Sequence, residues 1–332
     1  MIPPMQTSRP RHVFLTGVAG FIGFHVANAL LDQGVAVTGV DNLNDYYPVA
    51  LKRDRLALLG QREGFRFIEL DIADHAALKA AAPADIGAVI HLAAQAGVRY
   101  SIENPFAYAQ SNLVGHLSVL EMVRHHPNRP RLAYASSSSV YGDTAVAPYS
   151  ETARVDHPVS LYAATKRSNE LTSEAYAKLY GLDQVGLRFF TVYGPWGRPD
   201  MAYWTFTRDI IEGRPINVFN NGELERDFTW IDDIVSGVVA TAMQAPATTQ
   251  PLHRIYNIGN NRPVQLSRFI AIIEEAVGRK AERVMLPMQA GDVHATCANI
   301  DALQRDYGYA PTTKLDEGIP RFVAWYRDWT KT

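Results

Sequence analysis

Short apolar runs alternate along the first half of the chain with longer stretches in which apolar residues recur every three or four positions. HVFLT (12–16), VAVTGV (35–40), FRFIEL (65–70), GAVIHL (87–92) and RLAYA (131–135) have the length and β-branched content of buried strands. Residues 21–33, 48–59, 74–82 and 104–125 carry helical spacing, the first stretch ended by Gly34. A long helix over 160–180 precedes a sixth strand, QVGLRFF (184–190). Continuously apolar strands separated by helices predict an α/β fold, a doubly wound parallel sheet covered on both faces. From 191 the rhythm breaks. Gly and Pro recur at short intervals through YGPWGRPD, EGRPI and NNGELE, and helical spacing returns only at 231–243, 266–277 and 315–329. The second half therefore reads as a smaller C-terminal α/β lobe built on the first. The main domain is expected over 1–190 with a returning segment near 229–257, and the lobe over 191–228 and 258–332.

Bulk composition changes this picture little. The chain is 47% hydrophobic and 20% charged over 332 residues, an ordinary globular balance with enough length for a buried core. A formal net charge of −2 gives no sign of a nucleic-acid-binding surface. No apolar run approaches the ~18 residues of a membrane span, and the N-terminal MIPPMQTSRPRH lacks a secretory apolar core. The single cysteine, Cys297, has no partner for an internal disulfide, and no Cys/His spacing suggests a metal. Together these features predict a cytoplasmic protein.

The chemistry begins between the first strand and the first helix. TGVAGFIG (16–23) sets glycines at GxxGxxG spacing. Gly17 allows the tight turn, Gly20 lets backbone approach a pyrophosphate, and Gly23 lets helix pack close on strand, with Phe21 and Ile22 opening the helix. The second strand runs into Asp41-Asn42. An acid there accepts hydrogen bonds from ribose hydroxyls and repels a 2′-phosphate, which favours NAD over NADP. Asp71-Ile72 and Leu92-Ala93-Ala94 end two further strands. Alone each is ordinary βα-loop sequence. With the glycine turn they fit a dinucleotide lying across the carboxyl edge of the sheet.

Two more features point to a reaction. Tyr162-Ala-Ala-Thr-Lys166 puts a phenol and an ammonium on one helix face. A free phenol titrates near ~10, and a neighbouring ammonium is expected to lower that value and make Tyr162 a general base. By itself YxxxK is an ordinary surface pair. SSSSVYG (136–142) would likewise be a serine-rich turn, but it follows a strand whose end belongs to the cofactor edge. A hydroxyl there can bond a reacting alcohol and share its proton with Tyr162.

In TGVAGFIG, LAAQAG, SSSSVYG, YAATK and RDFTWIDD the chain resembles the extended short-chain dehydrogenase/reductases of the nucleotide-sugar epimerase group, over nearly its whole length. The resemblance implies a Rossmann-type domain with tightly held NAD, a substrate lobe for a nucleotide sugar, and Ser137, Tyr162 and Lys166 as the catalytic set. It implies that Lys166 also holds the nicotinamide ribose and that Asn112 lies near it. Family members that dehydrate or decarboxylate carry acids directly before VYG, where this chain has Ser138 and Ser139. That leaves 4-epimerisation. LRFFTVYGPWGRPDM (187–201) and DHPVSLYAATKRSNE (156–170) resemble UDP-glucuronate 4-epimerases. Ser138, Ser139, Thr191 and Arg198 could then surround a C6 carboxylate, with a loop cap or a phosphate contact as the other readings of Arg198. Phe219, in a strand with Val218, resembles the uracil-packing position, Arg226 a diphosphate contact and Asp292 a nucleotide-ribose contact. Some relatives carry an Arg where this chain has Gln289, and Arg99 is a substitute whose position the sequence does not fix. A UDP-glucose/galactose 4-epimerase and a UDP-glucuronate decarboxylase are the rival activities. The resemblance further implies a homodimer through helices 104–125 and 160–180, and a product used for surface polysaccharide. Trp196 and Trp230 read as packing, His125-His126 as a helix end, and Cys297 as buried.

Overall fold

A computed structural model describes residues 9–143, 146–247, 251–288 and 293–332. Twelve strands are formed among them: β1 His12–Thr16, β2 Ala36–Asp41, β3 Phe65–Glu69, β4 Ala88–His91, β5 Arg131–Ser137, β6 Gln184–Phe189, β7 Thr191–Tyr193, β8 Ile216–Phe219, β9 Glu225–Trp230, β10 His253–Ile258, β11 Pro263–Gln265 and β12 Arg283–Leu286. Seven of them make one sheet in the order β10-β6-β5-β4-β1-β2-β3, every pairing parallel. The order reverses between β1 and β4, and such a reversal opens a crevice at the carboxyl ends of the strands.

Strand alternation explains why both faces are covered. Along β1, Val13 and Leu15 join a core with Val26, Leu30, Ile90, Val185 and Val238. Phe14 between them joins the opposite core with Val89, Leu132, Leu78, Val119 and Leu120. All three β1 side chains are fully buried, as expected for a strand with helices on both sides.

The lobe rests on two small sheets, β11-β9-β7 and β12-β8. Their strands run from three to six residues and carry no readable period. Two sequence expectations change. β5 runs on to Ser137, so the serine run begins inside the strand and ends in a short 3-10 turn, Ser138–Tyr141. The helix expected over 104–125 is broken into Pro105–Tyr108, a π-helical turn Ala109–Val114 and Gly115–His125, with a short helix Tyr100–Glu103 before it. Asn104 caps Pro105–Tyr108 through its side chain, with Pro105 at the first helical position.

Candidate active site

A cleft of about 1010 Å³ opens at the carboxyl edge of the large sheet and continues between β7, β8, β9 and the helix Ala202–Glu212. Its first wall is the glycine turn. Gly17 has φ +76°, and a Cβ on it would sit 2.6 Å from the Ala93 amide nitrogen. A Cβ on Gly23 would meet the Gly17 carbonyl oxygen at 2.1 Å, so helix and turn touch only because Gly23 lacks one. Gly20, Phe21 and Ile22 line the cleft beside them. The helix Phe21–Asp32 has no acid in its first turn, so its N–H groups and dipole face the cleft uncompensated and suit a diphosphate.

Asp41 ends β2 and is 8% exposed. Its carboxylate accepts from the Ala19 amide (3.2 Å) and the Leu43 amide (2.9 Å), with Lys52 Nζ 4.0 Å away. Burial pushes the carboxyl up, and Lys52 and the two amides pull it back. Asn42 lines the cleft and donates to Asp71 (3.0 Å). Asp71 itself is exposed, lies off the cleft, and orders the next turn through the Ala73 amide (2.8 Å). Ile72, Leu92, Ala93 and Ala94 complete this end. Backbone against backbone at the turn, a helix N-terminus and a strand-end acid together fit NAD.

The four serines have different jobs. Ser136 also lines the cleft, but its hydroxyl donates to Glu170 (2.7 Å), which holds Arg188 through two bonds of 2.8 and 2.9 Å. Ser137 is one residue on and therefore faces the other way, into the cleft. Its Oγ accepts from the Ser139 amide (3.2 Å), and Ser138 and Ser139 line the cleft beside it.

Ser160 caps the helix Leu161–Tyr180 by accepting from the Ala163 amide (3.1 Å), which puts Tyr162 in the first turn. Burial raises the Tyr162 phenol, while a hydrogen bond from Ser137 and the charge of Arg198 favour the phenolate. The expected lowering of the phenol pKa is thus not met, because desolvation outweighs its neighbours. The Lys166 ammonium is buried and donates to the Ala135 carbonyl (2.9 Å), and burial pushes it down to about 8.

Asn112 sits behind the cleft, not in its lining. Its Oδ1 accepts from the Gln95 amide (2.8 Å), and its Nδ2 donates to Gln95 O and Thr165 Oγ1, each at 3.1 Å. Asn169 reaches back to the Asn112 carbonyl (2.7 Å). The π-helical turn exists around this clamp, a placement common for such turns at functional sites. Tyr108, just before it, sets its ring edge-on to Tyr162 at 6.0 Å.

The far end gathers Thr191, Arg198, Phe219 and Arg226 around the cleft, together with Arg99. Arg99 lies over the Phe219 ring, 5.4 Å from its centroid. Val218 is buried behind and presents no face. Arg226 donates to the Glu225 (2.9 Å) and His294 (3.2 Å) carbonyls. Asp292 and Gln289 lie outside the described residues. Arg198 is gripped by Asp200 through Nε (3.0 Å) and Nη2 (2.5 Å), and Tyr46 donates to the same carboxylate (3.0 Å). Burial alone would raise Asp200, but the guanidinium overrides it and holds the carboxyl below its usual range. Arg198 is thus tied within its own loop and also lines the cleft. Tyr46, Asp200, Gln95 and Arg208 also line the cleft and were not singled out from sequence. Only Asp200 had a signal, its spacing of two from Arg198.

Trp196 packs on Phe24 (5.7 Å) and Trp325 (5.2 Å), and Trp230 is 2% exposed, as the packing reading expects. Cys297 is buried, and burial pushes its thiol up to about 11.

UDP-glucuronate 4-epimerase 2 of Arabidopsis thaliana is 46% identical over 340 residues, covering 98% of this chain and 78% of its own. The crystal structure of UDP-glucuronic acid 4-epimerase from Bacillus cereus with UDP-glucuronic acid and NAD matches with a TM-score of 0.87. It is 33% identical and covers 96% of this chain and 99% of that one. UDP-glucose 4-epimerase of Thermotoga maritima, solved with UDP-glucose, matches at 0.86 with 29% identity over 96% and 99%. The fold thus carries both substrate types, and side chains must separate them. The model of the NAD dependent epimerase/dehydratase family matches residues 13–259. With a glycine turn, a strand-end serine and YxxxK meeting in one cleft over that span, the chain belongs to the NAD dependent epimerase/dehydratase family.

Proposed function

We propose that this chain is an isomerase that converts UDP-glucuronate to UDP-galacturonate by NAD-dependent 4-epimerisation. The observation that carries the reading is the group of Ser138, Ser139, Thr191 and Arg198 in the same cleft as Tyr162, with no acid at 138 or 139. Three hydroxyls and a guanidinium suit a sugar carboxylate. The Tyr162 phenolate takes the proton from O4, helped by the Ser137 hydroxyl, as C4 loses hydride. When bound, NAD supplies the acceptor for that hydride and the donor for its return, with no net redox change. Lys166 holds its charge beside this centre and bonds the cofactor ribose. The 4-keto sugar then turns its other face to the returning hydride, and Tyr162 gives back the proton.

A 4-keto uronate is a β-keto acid. It loses carbon dioxide when the C5–C6 bond aligns with the ketone π-system. A proton then replaces the carboxyl at C5, and hydride return to C4 leaves a pentose. Arg198 with the hydroxyls restrains the carboxylate, which keeps that bond out of alignment. At the nucleotide end, Phe219 and Arg99 receive the uracil, and Arg226 the diphosphate, with Asp292 assigned to the ribose on resemblance alone.

In this reading residues 1–190 and 229–257 carry the cofactor, and 191–228 and 258–332 the UDP-sugar. β10 joining the large sheet supports the returning segment. Apolar Leu113, Val114, Leu117 and Leu171 on the outside of two neighbouring helices support a homodimer. A single buried thiol is consistent with a reducing cytoplasm, and a UDP-uronate with use as a polysaccharide precursor.

The test is to incubate the purified protein with UDP-glucuronate and with UDP-glucose, without added reductant, and to identify the sugars by NMR. UDP-galacturonate is the expected product. UDP-xylose as main product would make the chain a decarboxylase, and UDP-galactose alone a neutral-sugar epimerase. No conversion would leave a binding protein.

A further inference from the structure

The loop that carries Arg198 is held from the nucleotide side by three successive carbonyls. His25, on the helix that follows the glycine turn, donates Nε2–H to Pro195 O at 2.9 Å. Burial pushes its imidazole down to about 4, so the ring is neutral and this donor is fixed. Arg55, on the helix Val49–Leu59, donates through Nη2 to Trp196 O at 2.7 Å and Gly197 O at 2.9 Å. Its other arm, Nη1, donates to Ala19 O at 2.7 Å and to the Tyr47 hydroxyl at 2.9 Å. Arg55 is 0% exposed.

Such a burial needs a reason. A guanidinium out of water is costly unless its donors are matched, and both Nη groups of this one are matched, by carbonyls of two segments and the Tyr47 hydroxyl, while its buried Nε has no partner among the described residues. Ala19 lies between Gly17 and Gly20, and its N–H is the one that Asp41 accepts. Its peptide is therefore held at one end by the ribose-side acid and at the other by Arg55. On the opposite side, Trp196 adopts φ +57°, a left-handed backbone that a bulky residue takes only under outside constraint. The constraint is the row of donors from His25 and Arg55, and Arg198 is the next residue after the held carbonyls.

We propose that Arg55, with His25, is a positioning residue that latches the loop 195–198 to the dinucleotide turn, so that one guanidinium shapes the cofactor cradle and aims Arg198. Cofactor retention and carboxylate restraint are then set by the same side chain, although neither ligand touches it. The second half rests on the proposed reading of Arg198 as the carboxylate's partner.

The experiment compares Arg55→Lys, His25→Leu and Arg198→Gln with the unaltered chain. Three quantities are read: NAD per chain after gel filtration, KM for UDP-glucuronate, and the pentose share of product with NAD in excess. Arg55→Lys keeps the charge but loses the fork. Its expected result is an about tenfold loss of retained NAD and an about tenfold rise in pentose share, the scale of one hydrogen bond to a charged group. His25→Leu deletes the Pro195 bond alone and is expected to raise KM and pentose share with NAD retained. Arg198→Gln is expected to do the same. Folded Arg55→Lys with normal NAD content and normal product mix, whatever its Tm, overturns the latch. If Arg55→Lys does not fold, an unchanged KM and product mix in His25→Leu overturns it. If Arg198→Gln alters neither KM nor product mix, the carboxylate reading fails and the second half of the latch with it. The NAD content of Arg55→Lys still decides the first half.

Discussion

Tyr162 is tuned by effects that oppose one another. Burial disfavours the phenolate, and the Ser137 hydroxyl and the Arg198 charge favour it. The helix N-terminus capped by Ser160 adds a further favourable field. Because the phenolate is the base, activity rises as pH passes upward through the Tyr162 pKa. Removing a group that lowers this pKa moves the acid limb to higher pH. Ser137→Ala is therefore expected to shift the acid limb of the pH–kcat/KM profile upward, and Ser137→Thr, which keeps the hydroxyl, to restore it. Tyr162→Phe is expected to lower kcat by about 10²–10⁴-fold with NAD content unchanged, measured by NMR turnover and by NAD released on denaturation.

At the scale of elements, the large sheet was readable because its inner strands are buried on both faces and so are largely apolar, although the edge strand β3 is partly exposed. The six strands expected from HVFLT to QVGLRFF all occur, with ends shifted by at most two residues. The lobe was not readable as strands, since β7 and β11 have three residues each and no period fits so short a run. Ser136 and Ser137 show what one register position conceals. Alternation sends one hydroxyl to Glu170 and the other to the cleft, but only if β5 reaches residue 137. The apolar rhythm of 104–125 likewise predicts one helix and misses the π turn, because hydrophobic spacing carries no record of an amide aimed inward. That amide has a measurable value. Asn112→Leu strands the Gln95 N–H and C=O and frees the Thr165 hydroxyl. At roughly 1–3 kcal/mol per stranded group, the variant is expected to be about 3 kcal/mol less stable, read from the denaturant midpoint at constant slope. A loss below about 0.5 kcal/mol would mean that these groups find other partners. Arg55 is the clearest case of what sequence alone cannot yield, since nothing in VALKRDRLALL separates a buried latch from a surface cation.

In the proposed reading the whole molecule brings a cofactor edge and a substrate lobe together, and the helices behind the reactive centre join the site to the outer surface. Gly115–His125 and Leu161–Tyr180 are tied to each other by His116 to Ser173 (3.0 Å) and by Tyr176 to Glu121 (2.7 Å). Outward they present Leu117 at 44% and Leu171 at 54% exposure, near Leu113 and Val114. One exposed leucine needs no explanation. Several on two adjacent helices and the turn before one of them support the proposed homodimer. A two-fold axis through such a patch repeats every contact, so one charged substitution enters the interface twice. The paired change Leu117→Glu and Leu171→Glu is therefore expected to reduce the mass measured by light scattering from two chains to one at micromolar concentration. Its Tm, compared at equal chain concentration, should fall only by the dimer's share, because neither side chain belongs to the core. Unaltered protein that already runs as one chain would remove the dimer. Leu161–Tyr180 carries Tyr162 and Lys166, and Asn112 lies in the turn that runs into Gly115–His125, so dissociation is expected to loosen the base more than the rest of the cleft. It should lower kcat with little change in KM for UDP-glucuronate.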